Sequence, residues 1–562
     1  MPAPDNPLIV QSDLTVLLET AAPRAGDARA ELARFAELEK APEHVHTYRI
    51  SPLSLWNAAV AGVSPDHAVG VLNDFAKYPV PDVVMTEVRD QMGRYGRIRL
   101  VRDLDTTGLA LVAAPELLEE VSRSRDIAAL LGERLDGNRF AVRLGDRGAI
   151  KQSLLTLGWP VADEAGYDEG TELAGVEMSV DLRSYQAESL GAWWLEGSTA
   201  GGNGVLTLPC GAGKTIIGLG AMVTTGANTL IVCTSTSAAR QWIAEILDKT
   251  TLTEDQVGEW SGHRKEMRAV TVVTYQVLTW ADTNVDKEGD FLDRYPHLRL
   301  FDDQEWGLII YDEVHMLPAP VFRATARIQA IRRLGLTATL VREDGREADV
   351  FSLIGPKRYD APWTELEALG WIAPAVCTEV RVALSDEHRM AYAMTEPRSR
   401  HRVAATAVEK LPALDRILAH HHGEQVLVIG QFVEQVQAVA KRLDAPVLTG
   451  RTAQRTRDRV YQQFRDGEIP VLVVSKIANY SIDLPEVAVA VQLSGQFGSR
   501  QEEAQRLGRV LRPKADGGQA HFYSIVAHDT DEARFARNRQ RFLTEQGYSY
   551  RIVEAADPDL EW

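Results

Sequence analysis

Between an apolar run, Gly204 to Leu208, and a helix-like stretch, Ile216 to Met222, stand Pro209, Cys210, Gly211, Ala212, Gly213, Lys214 and Thr215. A strand that passes into a helix through such a loop has the pattern of a phosphate-binding α/β architecture. Gly211 and Gly213 let the backbone curl until several N–H groups face one polyphosphate, and the following helix presents the positive end of its dipole. Lys214 adds a mobile charge for the β/γ-phosphates. Thr215 supplies a hydroxyl for Mg²⁺. Leu208 occupies the place of the pattern's usual first glycine, so taken alone the segment also reads as an ordinary glycine turn. Ala212 completes the loop, and the expected ligand is ATP.

At 562 residues the chain is too long for one hydrophobic core and implies three or four domains. Its three cysteines, Cys210, Cys233 and Cys377, lie too far apart for a CxxC motif or a disulfide framework, which fits a reducing interior. Met1 to Val10 lacks a basic stretch followed by an apolar one, and no run of about 18 apolar residues occurs anywhere, so a cytoplasmic protein without membrane contact is expected. The formal charge of −18 argues at first against nucleic acid. Residues 1–180 carry about −10 of it, which leaves room for a basic groove further on.

From residue 181 to about 355, β-rich apolar runs (Val205–Leu208, Thr229–Cys233, Val270–Val273, Gly307–Tyr311, Arg333–Leu336) alternate with helical patterns, the signature of a parallel sheet with crossover helices. The pattern returns at Gln425–Ile429, Ala445–Leu448, Val471–Val474 and Val487–Leu493, which implies a second α/β domain. No internal sequence repeat accompanies it. Upstream, Pro52–Leu72 and Pro81–Tyr95 read as helices, and Ile98–Val101, Gly108–Val112 and Arg139–Val142 as strands. The expected fold class is therefore α/β, with two parallel-sheet domains, 181–358 and 359–562, preceded by two small mixed α/β domains, 1–100 and 101–180. The acidic stretch from Asp163 to Glu177 reads as a solvated linker, and His420 to His422 as a loop at a helix end.

Two further places carry chemistry. The run Leu308–Tyr311 delivers Asp312, Glu313, Val314 and His315 to a strand end, where Asp312 can hold Mg²⁺ and Glu313 can orient an attacking water. Near the end of the second α/β domain, Gln505, Arg509 and Arg512 stand in Gln-Arg-Leu-Gly-Arg-Val-Leu-Arg; three apart on a helix, the last two arginines share a face and suit a γ-phosphate held elsewhere.

Together these pieces resemble a superfamily 2 helicase over residues 181–562. Long strings narrow the resemblance to the XPB helicase family: Leu-Pro-Cys-Gly-Ala-Gly-Lys-Thr, Asp-Glu-Val-His, Leu-Thr-Ala-Thr-Leu-Val-Arg-Glu-Asp at 336–344 and Leu-Ile-Gly-Pro-Lys at 353–357. The N-terminal segments around Pro7–Leu18 and His44–Trp56 agree with that family as well. The resemblance implies two RecA-like motor domains, an adenine-reading motif at Arg183 and Gln186, and nucleic-acid or coupling motifs at Thr234, Thr274, His315, Thr337, Thr339 and Asp483. It also implies that Arg342, Glu343 and Asp344, the family's RED motif, separate strands, and that residues from about 101 to 175 form a damage-recognition-like domain. Ala478, Asn479 and Tyr480 depart from the eukaryotic Gly-Asp-Thr, and the thumb-like segment Glu387–Arg402 is short, though rich in Arg389, Arg398, Arg400 and Arg402.

On this reading the chain is an ATP-dependent, Mg²⁺-requiring 3′ to 5′ helicase. It acts on forked DNA or duplex with a single-stranded tail, in DNA repair, as a monomer, with a nuclease or a repair or transcription complex as partner. The rivals are a double-stranded DNA translocase and an ATP-gated subunit that works by binding partners through residues 1–180. An RNA helicase fits the long strings less well.

Overall fold

The structure, a computed structural model, describes residues 3–40, 44–103, 108–209, 212–262, 264–285, 291–329, 331–338, 347–360, 375–475, 487–494, 520–545 and 549–557. The chain forms two compact units, residues 1–37, 48–208 and 213–361 in one and 38–47, 209–212 and 362–562 in the other.

The first unit opens with an antiparallel pair, Leu8–Val10 against Thr15–Glu19, and three helices, Pro52–Val60, Pro65–Phe75 and Asp82–Arg94. The single helix expected over 52–72 is two, because the Ser64 hydroxyl accepts the N–H of His67 and Pro65 stands at the first helical position, starting a new helix. A five-stranded sheet follows in the order Leu131–Asp136, Arg139–Val142, Leu109–Val112, Ile98–Arg102, Val161–Asp163, antiparallel except for its last pair. Ile98, Leu100, Leu111, Leu118, Ile150 and Leu154 form its core.

The next sheet is wholly parallel and has seven strands in the order Val257–Trp260, Val270–Thr274, Thr229–Cys233, Leu308–Asp312, Arg332–Thr337, Asn203–Thr207, Lys357–Asp360. Its inner strands are continuous apolar runs because crossover helices cover both faces. Val205, Leu230, Ile309 and Tyr311 join Leu298, Trp306 and Phe322 in one core.

The second unit repeats the design. Its seven parallel strands run Val447–Leu448, Val471–Ser475, Val426–Gly430, Val489–Gln492, Ala520–Ala527, Ala375–Val382, Ser549–Glu554. Numbered within each domain, both sheets read third, fourth, second, fifth, sixth, first, seventh. The fold class is the one the sequence predicts, and the strand order recurs although no sequence repeat does.

The acidic stretch corrects the linker expectation. Asp163 ends a strand and is buried, where Arg147 (Nη2 to Oδ1, 2.8 Å) and Lys151 (Nζ to Oδ2, 2.8 Å) pair with it. Beyond it the backbone is strapped to the first parallel-sheet domain. The N–H of Thr171 donates to Glu305 O (2.9 Å) and that of Leu173 to Gly226 O (2.8 Å), while Leu173 and Val176 are buried. Gly170, at φ +72°, lies so close to Gly307 that a Cβ would sit 2.3 Å from its nitrogen. Exposed Asp168, Glu169 and Glu172 made the segment look solvated; the two apolar anchors and the backbone decide its placement.

Candidate active site

Three neighbouring strands of the first parallel sheet bring the site together. Strand Asn203–Thr207 leads into the loop, and the N–H of Leu208 donates to Thr337 O (2.9 Å) at the end of the adjacent strand. Gly213 takes a left-handed conformation (φ 76°, ψ 41°) and caps the helix Lys214–Thr225, whose first N–H groups therefore face the loop. A Cβ on Gly213 would lie 2.6 Å from Gln186 Nε2, which puts the Gln186 amide against the loop. Gln186 is buried at the start of helix Ser184–Trp194, where its Oε1 accepts the N–H of Arg183 (3.0 Å); the Arg183 side chain is exposed. Cys210 and Gly211 lie outside the described residues, and Ala212 is buried.

Strand Leu308–Asp312 ends at the second cluster. Glu313 is buried with φ 51°, a conformation costing about 1–2 kcal/mol for a residue with a Cβ. It turns the side chain to meet Lys214, Nζ to Oε1 at 2.8 Å. Glu313 Oε2 lies 3.5 Å from His315 Nδ1, and that nitrogen shares a 2.7 Å hydrogen bond with the Thr337 hydroxyl. A chain of contacts thus runs from the phosphate loop through Glu313 and His315 to the strand carrying Thr337. Thr215 is half-buried on the same helix as Lys214.

Asp312 is held by two aromatic residues, Trp242 and Tyr275, which fall in the stretches 234–242 and 274–276 that resemble family motifs but have no role of their own in the sequence reading. The Trp242 indole N–H donates to Asp312 Oδ2 (3.0 Å), and the Tyr275 hydroxyl to Asp312 O (3.1 Å). Burial, with Asp312 beside it, holds the Tyr275 phenol well above its ordinary pKa, so it remains a donor. Trp242 is itself locked by packing, since a Cβ on Gly218 would lie 2.5 Å from its ring. Trp242→Phe keeps most of the packing and frees the carboxylate to rotate. If Asp312 holds a divalent cation, as the sequence leads one to expect, the result is a severalfold rise in the Mg²⁺ concentration needed for half-maximal ATP hydrolysis, checked by metal titration; an unchanged midpoint would argue that the indole serves packing alone.

The remaining expectations divide. Thr234 is half-buried just after strand Thr229–Cys233. Thr274 is buried, and its hydroxyl accepts the N–H of Val277 (3.3 Å) to start helix Tyr275–Leu278, so it faces the protein interior. Thr339, Arg342, Glu343, Asp344, Asp483, Gln505, Arg509 and Arg512 lie outside the described residues. Residues 387–402 fall on two helices, Asp386–Met394 and Pro397–Ala405. Three of their cations are engaged locally, Arg402 with Glu434 (2.6 Å), Arg400 with Thr395 O (2.9 Å) and Arg389 with Asp386 (3.5 Å). In the second parallel sheet the first strand passes through Ala383 and Leu384 to a Ser385-capped helix, with no glycine-lysine-threonine loop. His421 caps helix Lys410–His420 and bonds Tyr523 Oη through Nε2 (2.8 Å).

One sheet with a phosphate loop, followed by a second of the same strand order without one, defines a nucleotide-dependent helicase of the two-motor-domain class. The chain belongs to the XPB helicase family. A family model described as ERCC3/RAD25/XPB C-terminal helicase matches residues 366–560, one described as type III restriction enzyme, res subunit, matches 179–342, and one described as helicase conserved C-terminal domain matches 8–136. A protein of Kineococcus radiotolerans described as DNA 3'-5' helicase XPB is 56% identical over 559 residues, 99% of this chain and 98% of its own length. One of Mycobacterium tuberculosis with the same description is 54% identical over 557 residues, 98% of each chain. The general transcription and DNA repair factor IIH helicase/translocase subunit XPB of Antonospora locustae is 34% identical over 571 residues, 98% of this chain and 82% of that protein.

Proposed function

We propose that this chain is an ATP-hydrolysing DNA motor that moves 3′ to 5′ and separates strands. The observation that carries the reading is the contact chain from half-buried Lys214 through buried Glu313 and His315 to Thr337. Lys214 holds the β/γ-phosphates when nucleotide arrives, which draws it away from Glu313 and leaves that carboxylate to orient the attacking water. The change at Glu313 reaches Thr337 through His315. Hydrolysis thereby alters the strand end from which the RED motif departs.

The oxygen donors Asp312 and Thr215 beside the phosphate loop suit a hard divalent cation, and we assign Mg²⁺ to them. When bound, Mg²⁺ neutralises phosphate charge in the transition state. Arg183 and Gln186 serve the adenine, Gln505, Arg509 and Arg512 the developing γ-phosphate charge, and Thr234, Thr274, Thr339 and Asp483 the DNA. Thr274 acts through the start of helix Tyr275–Leu278, whose first turn its buried hydroxyl caps.

Strand separation is assigned to Arg342, Glu343 and Asp344. Arg342→Ala is expected to lower unwinding of a forked duplex at least tenfold while changing ATP hydrolysis less than threefold (~0.6 kcal/mol); equal losses of both would place these residues in the ATP site instead. The repair role follows the description of the eukaryotic relative, whose name joins transcription with DNA repair. That name also carries "translocase", which favours a second reading, movement along duplex DNA with little unwinding. ATP hydrolysis measured against single-stranded, forked and duplex DNA and RNA, with triplex displacement beside fork unwinding, separates the two. Stimulation by RNA alone would overturn both. Among the described residues no helix is long and apolar enough to cross a membrane.

A further inference from the structure

Within the first unit, a cavity of about 300 Å³ lies between the Ile98–Asp163 sheet and the edge of the first parallel sheet. Tyr95, Arg99, Lys151, Asp163, Glu164 and Arg358 line it. The charged groups in and around it are unusual in their balance: Lys151 and Arg358 belong to the lining, and Arg147 and Arg333 lie outside it, each over the Tyr167 ring. Arg147, Lys151 and Arg333 are buried and Arg358 largely so, yet Asp163 is the one buried carboxylate that faces them among the described residues. Glu164 is half-buried at the rim and is paired with Arg99 (3.4 Å).

Arg358 shows the imbalance most clearly. Its guanidinium donates to Asn203 O (3.0 Å), to Asn203 Oδ1 (2.9 Å) and to Ala200 O, all neutral oxygens. No carboxylate lies within ion-pair distance among the described residues, and burial lowers its pKa accordingly. Arg333 likewise donates to the carbonyls of Gln329 (2.8 Å) and Ile331. The Tyr95 hydroxyl has no hydrogen bond among the described residues; burial raises its pKa, so it stays a donor. Lys151 has three N–H bonds and gives one to Asp163 (2.8 Å). An excess of buried positive charge costs several kcal/mol per uncompensated ion, unless an anion offsets it.

We propose that this cavity is a second oxyanion site, taking a phosphate-class dianion on the donors of Arg358, Lys151 and Tyr95. Nε and Nη2 of Arg358 are committed to Asn203 and Ala200, which leaves the two N–H bonds of Nη1 to join the Lys151 ammonium on the tetrahedral oxygens, and a dianion offsets two cations where a monoanion offsets one. The cavity has room for a small organic group on the phosphate, so free phosphate and a phosphomonoester share the chemistry. The site also has a structural lever. Arg358 belongs to the strand that pairs with the phosphate-loop strand, and Lys151 to the helix packed on the smaller sheet, so an occupant ties the two together.

The test is equilibrium dialysis of the full chain carrying Lys214→Ala, which cripples the phosphate loop, with inorganic phosphate and separately with ribose 5-phosphate. One saturable site is expected, weakened at least tenfold by Arg358→Gln and severalfold by Tyr95→Phe. The second variant removes only a hydroxyl, so it decides the matter if the first fails to fold. Tighter ribose 5-phosphate would identify a monoester as the occupant, and tighter phosphate the free ion. No saturable binding of either probe, or unchanged affinity in both variants, would overturn the site.

Discussion

Lys214→Ala is expected to lower DNA-stimulated ATP hydrolysis by on the order of 10³-fold or more, the scale at which a single preorganised charge acts on a transition state. The geometry adds a second consequence. Without nucleotide, Lys214 is the cation on buried Glu313 at 2.8 Å, so its loss leaves that carboxylate without this partner. The variant should therefore melt a few degrees lower while keeping its circular dichroism spectrum. Glu313→Gln in the Lys214→Ala background should recover the melting temperature and leave hydrolysis abolished. That split between stability and turnover separates a catalytic lysine from a structural one. Full hydrolysis in Lys214→Ala would end the motor reading.

The second large effect lies far from the phosphate loop. Asp163→Asn keeps the shape of the side chain but strips the charge from between Arg147 and Lys151, both buried and both within 3 Å of it. Breaking one side of such a cluster costs about 3–5 kcal/mol. Unfolding of the first unit should move to clearly lower denaturant concentration. Pairing Asp163→Asn with Lys151→Met removes one stranded cation and should recover part of the loss. No recovery would argue that Asp163 acts through the backbone of its strand instead. The pH dependence follows from the same contacts. Burial opposes the charge on Asp163, but Lys151 and Arg147 outweigh it and hold the carboxyl well below the usual range. A depressed folded-state pKa contributes stability that is complete above the unfolded value, about 3.9, and is lost as pH falls below it. The wild-type chain should lose stability on acidification below about pH 4 more steeply than Asp163→Asn.

How far these features could be read in advance depends on what fixes them. The inner strands of both parallel sheets, such as Thr229–Cys233 and Val426–Gly430, are buried on both faces, and an unbroken apolar run announces that locally. Edge strands such as Val257–Trp260, Lys357–Asp360 and Ser549–Glu554 carry polar residues and are strands because a neighbour pairs with them. Nothing within four to six residues says so. The recurrence of strand order was invisible for a related reason: a buried parallel strand asks for apolar side chains that suit the sheet, not for any particular one. In the site, the phosphate loop and the Asp-Glu-Val-His run are contiguous and were legible. The indole of Trp242 reaches Asp312 across 70 residues of sequence, and only the assembled sheet brings them together. Asp163 was misread because a carboxylate among other carboxylates looks solvated, and its two cations sit on a helix upstream.

The position of the phosphate-loop strand in its sheet also sets a timetable for synthesis. Strand Asn203–Thr207 has two neighbours, and both come much later in the chain: Thr207 pairs with Thr337 on one side and Asp360 on the other. On the ribosome, the strand leaves the tunnel with no partner to hold it. At 5–20 residues per second, roughly 10 to 30 s pass before its second neighbour is made. Until then the loop has no sheet to stand on, so the nascent chain grips nucleotide only after the whole first parallel sheet has been translated.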